Sequence, residues 1–241
     1  MTICVAQTEA LAGDISANIQ RHTFYINQAV AEGANLIIFP ELSITGYEPT
    51  LAADLATELD DARFNVFQQL SDASQIVIGV GAPIKQGTGI WIGLILFQPQ
   101  QERRLYAKHY LHPDEEPFFV SGESFASLSV ANQQVAFAIC YELFVPEHTT
   151  AACSCGAGVY IASVAKSVGG IDKALDTLAT KARDQSMTVL MANCIGMADG
   201  QECAGRSSIW NDKGALLGQL DTSSEGVLLI DTNTQQVVTR Q

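Results

Sequence analysis

Short apolar segments of strand length alternate with longer segments of helical periodicity along the whole chain of 241 residues. The short apolar runs are bounded by glycine or proline, which is typical of buried strands. Over 16–32 apolar residues recur at helical spacing, with Asp14 or Ser16 as a candidate cap. Gly33 follows this segment and predicts its end. The predicted strands are 2–7, 34–40, 75–83, 89–97, 103–107, 134–139, 157–164, 188–196, 207–212, 215–220 and 226–232, and the predicted helices are 16–32, 51–73, 146–155 and 171–187.

Strands and helices are interleaved in both halves of the chain, and no low-complexity tract or linker separates the halves. A single α/β domain over 1–241 is therefore the economical prediction. Several strands are apolar at nearly every position, which indicates a sheet covered by helices on one face and by a second sheet on the other. The alternation alone also allows one doubly wound sheet.

Acidic side chains outnumber basic ones, with 26 Asp and Glu against 13 Lys and Arg, for a formal net charge of −13. So few cations argue against a nucleic acid or an anionic membrane as partner. No apolar run reaches the length of a membrane span, and the first ten residues lack the basic start of a signal peptide. We therefore expect a cytoplasmic protein whose six cysteines are free thiols rather than a disulfide framework.

Three chemically reactive side chains each follow a predicted buried strand. Cys140 comes directly after VAFAI (135–139) and shortly before a helix start at Pro146. A thiol in such a strand-to-helix turn lies near oriented backbone N–H groups, as in many nucleophilic enzymes, although a buried structural cysteine fits this stretch equally well. Glu41 follows the strand LIIFP, and Lys108 follows RRLYA. Because strand ends in α/β folds meet at one edge, the three residues predict one catalytic site.

These segments resemble the motifs of the carbon–nitrogen hydrolase (nitrilase) superfamily, and the resemblance covers essentially the whole chain. The glutamate motif is FPELSITGY (39–47), the lysine motif is YAKHYLHPDEEPFFVSG (106–122) and the cysteine motif is ICYELFVPE (139–147). Two later patterns are MANCIG (191–196) and GRSS (205–208). Three motifs in the family's order, each at a strand end, are far more specific than any one of them.

The resemblance implies a four-layer α-β-β-α sandwich, in which two sheets pack face to face between outer layers of helices. It also implies a homodimer that uses no metal ion and no organic cofactor. Its expected partner is a small amide substrate.

For catalysis, the resemblance implies a triad of Glu41, Lys108 and Cys140. Glu41 would be the general base for the Cys140 thiol, which would attack the amide carbon and form a thioester. Lys108 and the backbone N–H of Tyr141 would stabilise the oxyanion. Activation of this kind raises the thiolate fraction, so we expect Cys140 to react with alkylating agents faster than the other cysteines.

Family members often have a further glutamate near the lysine, and both Glu115 and Glu116 fit that position here. The spacing does not separate the two, and the glutamate that is not used would be a solvated loop carboxylate. Lys166 is either a contact for an acidic substrate group or a solvated side chain, and core packing explains Tyr47 and Phe118 equally well. The predicted substrate-binding residues are Tyr47, Phe118, Tyr141, Phe144 and Lys166.

The function most consistent with these features is hydrolysis of the C–N bond in a small amide, releasing ammonia or an amine and a carboxylic acid. A nitrilase or an N-carbamoyl amide hydrolase would use the same residues. A soluble acyl transferase and a catalytically silent ligand-binding scaffold are alternatives from other classes. The presence of Glu41, Lys108 and Cys140 together argues against the scaffold, because such a protein has no chemical need for all three.

Overall fold

A computed structural model describes residues 1–122 and 127–241 of the chain. The α-helices are α1 (Ile15–Ala31), α2 (Ala52–Leu55), α3 (Asn65–Ser74), α4 (Pro146–Ser154) and α5 (Ile171–Gln185), with short 3-10 helices at Pro49–Leu51, Ala62–Phe64 and Cys140–Phe144. The strands are β1 (Thr2–Gln7), β2 (Leu36–Ile38), β3 (Val77–Gln86), β4 (Gly89–Phe97), β5 (Arg104–Ala107), β6 (Ser127–Val130), β7 (Gln133–Ile139), β8 (Val159–Ser163), β9 (Thr188–Ala192), β10 (Ile195–Ala198), β11 (Gln201–Ala204), β12 (Ser208–Trp210), β13 (Leu216–Gln219), β14 (Gly226–Asp231) and β15 (Val237–Arg240).

The strands form two mixed sheets and one small ribbon. The first sheet has seven strands in the order β15-β14-β1-β2-β3-β4-β5, and the second has six in the order β13-β12-β9-β8-β7-β6. Strands β10 and β11 form a separate antiparallel ribbon. In the middle of each sheet three strands run parallel, β1-β2-β3 in the first and β7-β8-β9 in the second. The carboxyl ends of these parallel strands position the residues of the candidate site.

The two sheets pack face to face, and helices cover their outer faces. Along β1, Ile3 and Val5 point into the core between the sheets, while Cys4 and Ala6 point into a second cluster beneath α1 and α3. This alternation is what a strand buried on both faces requires. Helices α4 and α5 cover the outer face of the second sheet, where Leu178 is fully buried. The four-layer α-β-β-α sandwich is thus confirmed, and the single doubly wound sheet is excluded.

The first helix begins where the sequence indicated, and the structure decides between its two candidate caps. The Asp14 side chain accepts a hydrogen bond from the Ala17 N–H at 3.0 Å, so Asp14 is the cap and Ser16 lies inside the helix. One helix predicted over 51–73 is wrong, because that segment contains α2, a 3-10 turn and α3. The interruption has a physical cause at Thr57, which pairs with the edge of β3 through two backbone hydrogen bonds of 2.9 and 3.0 Å.

Three strands were not predicted from the sequence, namely β6, β11 and β15. The strand predicted over 188–196 is divided into β9 and β10, because Asn193 between them turns its side chain into a buried hydrogen-bond network. As expected, all six cysteines are free thiols. Among the described residues, no helix is long and apolar enough to cross a membrane.

Candidate active site

A buried cluster of three charged side chains lies in the loops that follow β2 and β5. The Lys108 ammonium donates to Glu41 Oε1 at 2.7 Å and to Glu115 Oε1 at 2.6 Å. All three side chains are 2% exposed or less, and charges buried to this degree must be paired. The structure therefore brings Glu41 and Lys108 together and adds Glu115, whereas the alternative Glu116 is exposed on the same loop.

Glu41 is held by a tight turn that follows β2 and lies directly on β3. The Ile44 N–H donates to the Gly81 carbonyl at 2.9 Å, which fixes the turn to the strand beneath it. A Cβ atom at Gly81 would lie 2.4 Å from Leu42 N and 2.5 Å from Pro40 O, so the close contact is possible only for glycine. The position of the Glu41 backbone is therefore set by its contact with β3.

Lys108 follows β5, and hydrogen bonds on both sides hold its backbone. Its N–H donates to the Ile92 carbonyl at 2.9 Å, and its carbonyl accepts from the Gly122 N–H at 2.7 Å. A Cβ at Gly122 would lie 2.4 Å from the Ala107 oxygen, which explains the glycine at the end of the lysine motif. This clamp directs the side chain of a fully buried lysine toward the two carboxylates.

Glu115 is fixed by hydrogen bonds to both of its carboxylate oxygens. The Tyr47 hydroxyl donates to Oε1 at 3.0 Å, and the His112 backbone N–H donates to Oε2 at 2.8 Å. Tyr47 thus positions a charged residue of the cluster, a contact that its place in the sequence could not show.

Cys140 is the first residue of the 3-10 turn after β7 and has a φ of +45°, in the left-handed region. This conformation costs a non-glycine residue about 1–2 kcal/mol, so the surrounding structure must hold it. Glu142 does so through its carboxylate, which accepts from the Ile139 N–H at 2.8 Å and from the His109 N–H at 2.7 Å. Glu142 therefore links the cysteine turn to the loop that follows Lys108, a role missed in the sequence.

The electrostatics of the site favour a protonated thiol next to a base. Burial raises the pKa of the Cys140 thiol to about 11, and the Glu41 carboxylate adds to the rise while Lys166 and Lys108 oppose it. Burial also raises the pKa of Glu41, against the opposing charge of Lys108. Burial therefore favours the protonated thiol in the resting site, and the faster alkylation of Cys140 stays a prediction.

Lys108 is held as an ammonium, and Glu41 has one oxygen that does not bind it. Burial lowers the pKa of Lys108, but the charges of Glu41, Cys140 and Glu115 outweigh it and the pKa is raised overall. Glu41 uses Oε1 for Lys108, while its buried Oε2 has no hydrogen-bond partner among the described residues. That oxygen is available to accept a proton.

A cavity of about 470 Å³ opens at Cys140. This volume suits a small organic substrate. Its wall includes Tyr47, His112, Glu115, Phe118, Tyr141, Lys166, Gln201 and Cys203. Phe144 is not part of this wall, since its ring packs partly buried beneath the ammonium groups of Lys166 and Lys173, each 4.9 Å from the ring centroid.

The sequence patterns MANCIG and GRSS contribute a buried polar network behind the cavity. Asn193 Oδ1 accepts from the Lys166 N–H at 2.8 Å, and Asn193 Nδ2 donates to the Gly205 carbonyl at 2.7 Å. The Asn193 N–H in turn donates to Ser207 Oγ at 2.9 Å. Both patterns were noted in the sequence, but a residue between apolar strand segments gives no sign of which backbone it binds.

A family model for carbon–nitrogen hydrolases matches residues 2–240, so the chain belongs to that family. Its structure is similar to the amidase from Nesterenkonia sp. AN1 in a mutant complex with butyramide, with a TM-score of 0.87 and 26% identity over 96% of this chain and 90% of that one. Another structure of that amidase shows covalent addition of the acetamide moiety of fluoroacetamide at the active site cysteine.

Two curated relatives are similar over nearly the whole chain. The 2-oxoglutaramate amidase of Bacillus subtilis is 24% identical over 98% of this chain and 92% of its own length. A glutamine-dependent NAD(+) synthetase of Thermotoga maritima is 23% identical over 98% of this chain, which spans 42% of that protein's length. The region of similarity therefore corresponds to nearly all of the first relative but to less than half of the second.

Proposed function

We propose that this carbon–nitrogen hydrolase is a thiol-dependent amidase that cleaves small amides through a thioester on Cys140. The observation that carries the proposal is the arrangement of the site. Cys140 opens into a substrate-sized cavity, while Glu41 and Lys108 are paired in the buried cluster and close enough for their charges to act on the thiol. A nucleophile, a base and a cation in one site suffice for amide hydrolysis without any further reactant than water.

In the first step, Cys140 Sγ attacks the carbonyl carbon of the bound amide. Because a thiol with a pKa of about 11 is protonated near neutral pH, a base must remove its proton as the C–S bond forms. Glu41 Oε2, which has no hydrogen-bond partner among the described residues, takes that proton. The carbonyl electron pair moves onto oxygen, where the Lys108 ammonium and the Tyr141 N–H stabilise the oxyanion.

In the second step, protonated Glu41 returns its proton to the leaving nitrogen, and the C–N bond breaks to release ammonia or an amine. Water then attacks the thioester while Glu41 accepts its proton. The C–S bond breaks, the thiol recovers a proton and a carboxylic acid leaves. Lys108 keeps its charge throughout because its pKa is raised, and Glu115, held by Tyr47, keeps the ammonium in place.

The amidase and glutamine-dependent relatives support an amide as substrate, whereas a probable nitrilase of Schizosaccharomyces pombe is also similar, at 26% identity over 89% of this chain. The names of the similar proteins include 2-oxoglutaramate amidase, glutamine-dependent NAD(+) synthetase and an amidase crystallised with butyramide. The compounds in these names, 2-oxoglutaramate, glutamine and butyramide, each contain a carboxamide group. Nitriles and N-carbamoyl compounds are therefore included as controls in the test.

The test is ammonia release from a panel of small amides, nitriles and N-carbamoyl compounds, with the acyl-enzyme followed by intact-protein mass spectrometry. We expect turnover of amides, and a mass increase equal to the acyl group on Cys140. Replacing Cys140 by Ala should lower turnover at least about a thousandfold, since the nucleophile is lost. The matched control is Cys155→Ala, because Cys155 is also a free thiol but does not line the cavity.

Equal losses in the two variants would contradict the proposal, since they would show an effect on folding rather than on chemistry. Turnover confined to nitriles or to N-carbamoyl compounds would show that one of these classes, and not the amides, is the substrate. A covalent acyl group that leaves only when an amine or alcohol acceptor is added would identify a transferase.

A further inference from the structure

The cavity at Cys140 contains an ammonium group that the hydrolytic mechanism does not use. Lys166 lies on the cavity wall and has no carboxylate within salt-bridge distance among the described residues. Its Nζ rests 4.9 Å from the centroid of the Phe144 ring. Lys108, by comparison, is neutralised by two carboxylates at 2.6 and 2.7 Å. Lys166 is thus a cation in the cavity whose ionic partner is missing.

The structure holds Lys166 in place at its backbone. Its N–H donates to Asn193 Oδ1 at 2.8 Å, and its carbonyl accepts from the Ala204 N–H at 2.9 Å. Asn193 is fully buried, and Ser207 fixes it from behind. A lysine on a solvated surface needs no such support, so the clamp marks Lys166 as a built part of the cavity.

Lys166 is the only Lys or Arg side chain among the described residues of the cavity wall. The ammonium of Lys173 lies 4.9 Å from the centroid of the same Phe144 ring but is not part of the cavity wall. Gly170, the residue before α5, also lines the cavity, so the partial positive charge of the helix start adds to the field. The acids Asp114 and Asp199 on the wall are exposed, and neither forms an ion pair with Lys166.

We propose that Lys166 binds an anionic group of the substrate, so that the preferred substrate is an amide whose acyl chain ends in a carboxylate. A half-amide of a short dicarboxylic acid has this chemistry. Its carboxamide would lie at Cys140 and its carboxylate at Lys166, and the small cavity limits the chain between them. A charged hydrogen bond to a carboxylate also supplies the missing ionic partner of the lysine. This inference rests on the proposed amidase function.

The test compares kcat/KM for two series of amides matched in chain length. The anionic series is succinamate and glutaramate, and the neutral series is butyramide and valeramide. We expect the unaltered protein to prefer the anionic series. In Lys166→Met the ratio of anionic to neutral kcat/KM should fall about 10- to 100-fold, mainly through KM, because one charged hydrogen bond is lost. Lys166→Arg should keep most of the preference.

The matched control is Lys173→Met, which removes the other ammonium on the same ring without changing the cavity wall. Its ratio should stay close to that of the unaltered protein. Equal loss for both series in Lys166→Met would overturn the inference, since Lys166 would then serve catalysis or folding rather than recognition. A preference of the unaltered protein for neutral amides would also overturn it. Failure to hydrolyse or to be acylated by any amide would instead overturn the proposed function, and this inference with it.

Discussion

In the proposed mechanism, Glu41 is the residue whose ionisation decides whether the site can act. One of its oxygens is held by Lys108, and the other is buried without a partner among the described residues. Burial raises its pKa, while Lys108 limits the rise. The same carboxylate must be charged to accept the thiol proton and neutral to protonate the leaving nitrogen, and a raised pKa suits that exchange.

The pH dependence of the reaction should follow from these two groups. We expect kcat/KM to increase with pH along a limb whose apparent pKa is above the ordinary glutamate value of 4.5, since Glu41 must be ionised to act as base. No thiol titration should appear before about pH 11, because the thiol is the reactive resting form. The measurement is kcat/KM from pH 4 to 10 in buffers of constant ionic strength. A thiol ionisation near pH 8, detected by alkylation rate, would contradict the buried protonated thiol.

At this scale the sequence could predict the reactive residues but not all of their neighbours. Glu41, Lys108 and Cys140 follow strands whose apolar pattern is unambiguous, so the fold could be expected to gather them. Glu115 and Glu116 are adjacent in the chain, and only the three-dimensional course of the loop shows that Glu115 faces inward. Phe144 was expected in the cavity wall, but it is not among the lining residues, and its ring instead contacts the ammonium of Lys166, which is.

Strand β3 is the element that supports the turn carrying Glu41. Gly81 accepts from the Ile44 N–H at 2.9 Å, and its own N–H lies 3.3 Å from Ser43 Oγ. The second sheet contributes to the same turn, since Ser163 Oγ at the end of β8 donates to the Phe39 carbonyl at 2.8 Å. Both sheets therefore hold the segment that leads to the base.

Replacing Gly81 by Ala should displace this turn. The added Cβ would lie 2.4 Å from Leu42 N, and backbone atoms cannot move aside as a flexible side chain does. We expect a loss of about 1–3 kcal/mol in the free energy of unfolding, typical of overpacking, and a larger fall in kcat than in substrate binding. Urea denaturation and steady-state kinetics measure the two effects.

Gly158→Ala is the control for this prediction, because a Cβ at Gly158 would meet nothing within 4 Å. It should change neither stability nor kcat by a comparable amount. If Gly81→Ala kept full activity, the turn would not depend on its contact with β3.

The elements that were predicted well are those with long apolar runs. The parallel strands β1, β2, β3 and β7, β8, β9 all lie where the sequence placed them within a few residues, because burial on both faces gives them a continuous apolar pattern. Strands β6, β11 and β15 have only four residues each and mix polar with apolar side chains, so periodicity could not identify them. The break in the helix predicted over 51–73 depends on tertiary pairing of Thr57 with β3.

At the scale of the whole molecule, two histidines are buried in the two halves of the sandwich. His22 on α1 bonds Ser43 Oγ at 2.9 Å, beside the turn of Glu41, and burial lowers its pKa to about 3. His148 on α4 lies near Tyr160 Oη at 3.1 Å, and burial lowers its pKa to about 4. Both are therefore neutral in the folded protein at pH values where an unfolded histidine is charged.

Stability should consequently fall as the solution becomes acidic. Above pH 6.5 both histidines are neutral in the folded and unfolded states, and their contribution is fully present. Between pH 6.5 and about 4 the unfolded chain binds protons that the folded chain does not, so each pH unit costs about 1.4 kcal/mol per histidine. The raised pKa of Glu41 opposes part of this loss, because the folded protein binds that proton more readily.

The urea concentrations at the midpoint of unfolding, measured at pH 7.5 and at pH 4.5, show how much stability is lost in acid. Replacing His22 by Gln should reduce the difference between the two midpoints, whereas His112→Gln should not, since the His112 side chain is 47% exposed. Equal differences in both variants and in the unaltered protein would show that other groups cause the acid sensitivity.

Some properties of the molecule stay predictions. The homodimer and the cytoplasmic location that the sequence implies depend on a second chain and on the cell, and the structure is that of one chain. Mass in solution, compared with 25.8 kDa for one chain, tests the first. The family and the four-layer fold, in contrast, could be predicted because three motifs and a repeated strand–helix pattern agree with each other.

The hydrogen bonds that hold Lys166 in the cavity wall involve its backbone, whereas the proposed contact with the substrate involves its side chain. Asn193 and Ala204 bind only the backbone atoms of residue 166, so the network stays intact whichever side chain stands there. Different side chains can therefore occupy position 166 with little loss in the stability of the fold. Selection, natural or in the laboratory, can retune the acyl preference at this one site while leaving the base, the cation and the nucleophile untouched.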